Sequence, residues 1–299
     1  MSPHRVICTA ILAGSSGRPS RQWLDRRGVL SIDSAPEQAE HPALSPGFGG
    51  YFLLGLIHGT SMAMPDFLYL SLIAILLLLD HFVFWPMFLR RSQANPGRAR
   101  LWLWSCWMIM SWSLVAVGVA LWLFEARAWQ AIWFAAPHGW RLWVAVGLVC
   151  ALVIAYAKTI ARVARSTRPR RIKFGYPDAE KLAPRTSTEL SWWIAASLSA
   201  GFCEEFIFRG YLIWAFQSVL GLWGAAAFSV VVFAAGHSYQ GIKGFFASGA
   251  IGIFLTLVVL ISGSLWPAIA LHALVDIGQG LVAWFVLRRA QGEGAMVTA

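Results

Sequence analysis

The chain has 299 residues, 58% of them hydrophobic and only 13% charged, about half the roughly 25% charge of a soluble domain. With a mean hydropathy of +0.61, this excludes a disordered chain, a disulfide-rich secreted scaffold and a coiled coil, and leaves a polytopic membrane protein. The net charge of +10 sits between apolar runs and marks topology rather than nucleic-acid binding.

The first sixty-one residues mix Arg, Pro, Gly and Ser with two weak apolar runs, Val6 to Gly14 and Phe48 to Met64. The first is short for a signal-peptide core. The second is a candidate eighth span. The favoured reading of 1–61 is a poorly ordered extension or a mis-assigned start, with translation beginning at Met62 or Met64.

A bilayer core of about 30 Å needs roughly 20 apolar helical residues. Seven segments qualify: Phe67 to Leu89, Leu101 to Phe124, Leu142 to Ile160, Leu190 to about Phe216, Leu222 to His237, Ile242 to Ile261 and Leu265 to Leu287. The expected fold is all-α, a transmembrane bundle of seven or eight spans. Its expected parts are N-terminal spans and a basic loop over 62–189, a catalytic core over 190–287 and a short tail over 288–299. Trp102, Trp104, Trp140, Trp143, Trp192, Trp193 and Trp266 mark span ends, as interfacial belts do.

Three segments are basic: Arg90, Arg91, Arg98 and Arg100; the run Lys158 to Arg185, with nine basic residues against Asp178 and Glu180; and Arg288 with Arg289. Seven spans put all three on one face, expected to be cytoplasmic at the cell (inner) membrane. The basic run Arg162 to Lys173 is read as a loop near anionic headgroups. It has no aromatic interleaving for base stacking, and the chain has no Gly-rich phosphate loop.

Ionisable residues inside spans are costly and are functional candidates by default. Here they are Asp80 and His81, then Glu204, Glu205 and Arg209, then His237, then His272 and Asp276. Glu205 and Arg209 are four apart and share a helical face, so they can form a buried ion pair. Glu204 is turned about 100° away and stays free for chemistry. A carboxylate in a low-dielectric site is suited to act as a general base. His272 and Asp276 are again four apart, so Asp276 can accept from the imidazole and fix its tautomer.

The remaining polar positions have plainer readings. Asp80 and His81 are expected to make interhelical hydrogen bonds, with a substrate or proton role as the alternative. Gly244, Ser248 and Gly252 form a small-residue face for close packing. Cys8, Cys106, Cys150 and Cys203 show no CxxC and imply no disulfide or zinc knuckle. HExxH and GxGD are absent. Ser238, in Gly236-His237-Ser238, is a poor nucleophile candidate because it would leave the paired glutamates unexplained.

Three elements in order, Glu204-Glu205-Phe206-Ile207-Phe208-Arg209, Phe233 to His237, and His272 to Asp276, resemble the CPBP family (Abi or CAAX prenyl protease-like) of intramembrane endopeptidases. The pattern there is EExxxR, FxxxH and HxxxN or HxxxD. The resemblance covers about Leu190 to Leu287. It implies a protease cutting membrane-associated proteins or peptides, with Glu204 as base, His237 holding the water, His272 stabilising the oxyanion, and Glu205, Arg209 and Asp276 in support. No cofactor is expected. The alternative is zinc held by Glu204, His237 and His272. The lipid bilayer is an expected partner and nucleic acid is not. Asp276 departs from the Asn of prenyl-protein proteases. An ionised carboxylate cannot donate to an oxyanion, so it is expected only to orient His272. A non-catalytic scaffold, immunity protein or transporter is the opposing function, although no inverted repeat supports a transporter.

Overall fold

The computed structural model describes residues 22–24, 30–32, 62–165 and 179–297, with side chains described over 62–165 and 179–289. The run Val6 to Gly14, residues 48–61 of the run Phe48 to Met64, and 166–178 of the basic loop lie outside the described residues. Strand β1 (Gln22–Leu24) pairs antiparallel with β2 (Leu30–Ile32), Trp23 facing Ser31. These form a unit of their own, apart from the helical body.

The helical body begins with α1, Met64–Ala94, which is apolar enough to span. Its first turn carries Pro65, tolerated where no intrahelical N–H bond is needed. Asp66 accepts from the Ala63 N–H at 2.7 Å, closing the helix start. A π-helical turn, Asp80–Phe84, interrupts α1. Helix α2 is Pro96–Phe124, capped by the Asn95 carboxamide accepting from Arg98 N–H. Helix α3 is Trp140–Arg165.

The next apolar helical run, Ser187–Gly236, is 50 residues long. At 1.5 Å per residue it would be about 75 Å, more than twice a bilayer core. Gly221 resolves the excess. Its φ of 67° and ψ of 168° break the helix in a region open to glycine. The run is therefore two helices, α4 (187–220) and α5 (222–236). Helices α6 (Gly241–Ser262) and α7 (Leu265–Val297) complete the bundle. Among the described residues six helical runs are long and apolar enough to cross a membrane, and the break at Gly221 divides the longest between two of the segments expected from sequence. The ends differ. Helix α1 starts three residues before Phe67, and α4 starts at Ser187. Asp66 and Glu189 thus lie inside helices that the apolar runs alone had excluded.

Both acids staple the bundle. Arg100 donates to Glu189 at 2.8 Å, and the Arg185 backbone N–H donates to the same carboxylate at 2.7 Å. At the other end of α2, Arg127 grips Asp66 with two bonds of 2.8 and 2.7 Å. This is the bidentate geometry only arginine provides. The Tyr211 hydroxyl donates to the same carboxylate, and the Trp122 and Trp214 rings flank the guanidinium.

Helix α7 packs along the first half of α4 and along α3, and α2 also packs against the first half of α4. The α4–α7 contact depends on Gly201. A Cβ there would lie 2.8 Å from Ala273 Cβ and 3.0 Å from the Ile269 carbonyl oxygen. Gly201→Ala is therefore expected to force the two helices apart. Overpacking of this kind costs about 1–3 kcal/mol, which thermal unfolding in detergent would register. A wild-type Tm would refute the tight contact.

Candidate active site

Helix α4 changes to π-helical form over Glu205–Leu212, the segment that follows the adjacent glutamates. Such segments concentrate at functional sites because they re-aim side chains at the cost of regular hydrogen bonds. One carbonyl of this segment, Phe208, accepts instead from the Ser229 hydroxyl at 2.6 Å.

The two glutamates diverge as their helical phase requires. Glu205 is fully buried. Its Oε1 accepts from Arg209 Nη1 at 2.8 Å and from His272 Nδ1 at 2.7 Å. Arg209, also fully buried, donates further from Nη2 to the Gly252 carbonyl (3.3 Å) and from Nε to Thr256 Oγ1 (3.4 Å). Its guanidinium lies 4.1 Å from the Phe233 ring centroid. Gly252 leaves room for this, since a Cβ there would meet Arg209 Nη2 at 3.2 Å. The small-residue face of α6 thus houses the arginine as well as permitting close packing.

Glu204 turns the other way. Its side chain is 27% exposed and its Oε2 stands 3.9 Å from His272 Nε2. That oxygen makes no hydrogen bond among the described residues. His272 is therefore held between the two glutamates. A carboxylate only accepts, so His272 Nδ1 carries the proton of the 2.7 Å bond and Nε2 is the nitrogen presented to Glu204.

This corrects the expectation for Asp276. Its Oδ2 is 3.7 Å from His272 Nε2, beyond hydrogen-bond range. Glu205, not Asp276, holds the imidazole. The helical spacing of four was a sound local reason, but the 2.7 Å bond to a fully buried carboxylate on another helix outcompetes it. Asp276 is instead anchored through its main chain, its carbonyl accepting from Trp193 Nε1 at 2.8 Å.

His237 terminates α5. Its Nδ1 donates to the Phe233 carbonyl at 2.9 Å, and its ring leans on Phe233 at 4.6 Å between centroids. Nε2 is left as the ring's second functional nitrogen.

Glu204, His237, His272 and Asp276 share the wall of one cavity of about 430 Å³. The cavity is also lined by Leu77 and Asp80 from α1 and by Trp104, Trp107 and Met108 from α2. Trp104 is fully buried and meets Trp193 edge to face at 5.6 Å. These two tryptophans line the cavity rather than the membrane interface. Asp80 and His81 make the interhelical bonds expected of them. Trp107 Nε1 donates to Asp80 at 2.6 Å, and His81 Nδ1 lies 3.1 Å from Ser238 Oγ. Ser238 is not on the cavity wall.

Among the described residues, no group of three or more His, Cys, Asp or Glu side chains is arranged to hold a metal ion. Glu204, His237 and His272 line the same space. Cys106, Cys150 and Cys203 are free thiols.

Residues 186–278 match a family model described as type II CAAX prenyl endopeptidase Rce1-like. No curated protein and no solved structure matches the chain. The matched segment contains every residue of the EExxxR, FxxxH and HxxxD elements and stops short of α1, α2 and α3. Residues 186–278, which carry these elements and much of the cavity wall, are thus similar to the type II CAAX prenyl endopeptidase Rce1-like family.

Proposed function

We propose that the chain is an intramembrane endopeptidase that hydrolyses peptide bonds of membrane-associated proteins or peptides, with Glu204 activating water. The observation that carries this reading is the placement of His272. Glu205 fixes its Nδ1, so Nε2 stands 3.9 Å from the unengaged Glu204 Oε2, on two side chains that line the same cavity. A base and an electrophilic group so arranged can bracket a scissile carbonyl.

In the proposed reaction a water gives one proton to Glu204 Oε2 while its oxygen bonds to the carbonyl carbon. His237 Nε2 accepts from the same water and holds it. The carbonyl electron pair moves to oxygen, and the resulting oxyanion takes a hydrogen bond from His272 Nε2. Nδ1 already spends its proton on Glu205, so Nε2 donates only when the ring is doubly protonated. Glu204 and Asp276, at 3.9 and 3.7 Å from Nε2, supply the negative surroundings that suit an imidazolium. Glu204 then returns the proton to the departing amide nitrogen as the C–N bond breaks.

Asp276 does not hold the ring, so Asp276→Asn is expected to keep kcat within about tenfold of wild type. A loss as deep as that of His272→Ala would place Asp276 in the chemistry. The same reading puts the arginines at the ends of α1 and α7, and the basic loop before α4, on the cytoplasmic face of the cell membrane.

The test of the function is a comparison of cleaved peptides in membranes from cells carrying the wild-type chain or Glu204→Gln. Products present only with wild type support the proposal. Identical peptide sets would favour a non-catalytic membrane protein on the same fold.

A further inference from the structure

One acid on the cavity wall has no part in the proposed reaction. Asp80 comes from α1, outside the matched segment, and lines the same cavity as Glu204, His237 and His272. It begins the π-helical turn Asp80–Phe84, an irregularity that costs regular hydrogen bonds and persists where a side chain must be aimed. Trp107 Nε1 donates to Asp80 Oδ1 at 2.6 Å. The carboxylate is thereby fixed in direction while remaining half-buried and reachable from the cavity.

The rest of the lining sets its electrostatic character. Asp80, Glu204 and Asp276 line the cavity together, and among the described residues no lysine or arginine does. Arg209 is sealed behind Glu205 and Phe233. Glu204 is committed to water and Asp276 faces His272, which leaves Asp80 as the acid whose charge a substrate can meet. In such a part-dry site, charge complementarity discriminates strongly between ligands.

Resting on the endopeptidase reading, we propose that Asp80 is a specificity residue that selects a peptide segment with a lysine or arginine next to the scissile bond. The cation pairs with Asp80 Oδ2 while Trp107 holds Oδ1. A glutamate at that position, or a free C-terminal carboxylate, meets three acids instead.

The test uses full-length protein in lipid nanodiscs and a set of fluorescein-labelled peptides. These differ only in Lys, Gln or Glu at each position flanking the cleaved bond, with amidated C-termini and one free-carboxylate control. Asp80→Asn keeps an acceptor for the Trp107 N–H and removes only the charge. Wild type is expected to favour the best-placed Lys peptide over its Gln counterpart by about tenfold in kcat/KM, and Asp80→Asn to reduce that ratio to about twofold or less. Cleavage without a Lys preference, or a preference unchanged in Asp80→Asn, overturns the assignment while leaving the protease intact.

Binding decides the matter independently of hydrolysis. In the Glu204→Gln background, fluorescence anisotropy should show the Lys peptide binding more tightly than the Glu peptide, and Asp80→Asn should erase the difference. Failure of wild type to cut any peptide, with that binding difference present, sinks the catalytic reading alone. Equal binding of Lys and Glu peptides sinks the role of Asp80.

Discussion

Glu204→Gln is expected to lower kcat for peptide hydrolysis by about 10²–10⁴-fold, the contribution of a positioned general base, with KM little changed. The amide has nearly the shape of the carboxylate and can still hydrogen-bond a water, but it cannot take the water's proton. Glu204 Oε2 makes no hydrogen bond among the described residues and the side chain is 27% exposed. Its replacement therefore leaves no broken network behind. That separates it from Glu205, one residue on, whose loss would strand Arg209. The measurement is initial rates at several peptide concentrations on purified protein, with thermal unfolding alongside. Full activity in the variant would remove Glu204 as the base. A rate loss with a matching fall in Tm would make the effect structural.

The second large effect concerns Arg209. Arg209→Met leaves the fully buried Glu205 carboxylate without its guanidinium partner, and breaking a buried pair by removing one partner costs about 3–5 kcal/mol. The double variant Glu205→Leu with Arg209→Met removes both charges. It is expected to recover most of that stability, because two apolar side chains need no counterions. It should stay inactive, because His272 Nδ1 loses the acceptor that turns Nε2 to the cavity. Denaturation curves and hydrolysis rates for the three proteins separate the two roles of the pair. A double variant as unstable as the single, or as active as wild type, would contradict the arrangement.

The helices were legible in the sequence because apolar runs of span length have few other uses. Even the break at Gly221 fell between two expected segments. Helix ends were less legible. Asp66 and Glu189 are charges that belong inside helices only because Arg127 and Arg100, each more than sixty residues distant in sequence, neutralise them. The motif residues were visible as scarce charges in apolar runs, and the structure gathers them around one cavity. Their wiring was not visible. Spacing of four along one helix suggested Asp276 for His272, whereas the partner is Glu205, sixty-seven positions away on another helix. Asp80 was visible as an intramembrane acid, but only the packing of α1 against the cavity shows what it faces.

Two of the three arginine–carboxylate pairs that hold the membrane body together also differ in when they can form. Glu205 and Arg209 lie four residues apart on one helix, so α4 carries its own counterion from the moment it coils. That pair can enter lipid during synthesis already neutralised. Asp66 opens α1 while Arg127 follows α2, so that carboxylate has no guanidinium to meet until a second span has emerged behind it. Biogenesis therefore has a built-in sequence. The first hairpin closes only when α1 and α2 are both in place, whereas α4 can be delivered to the bilayer with its ion pair made and find His272 last.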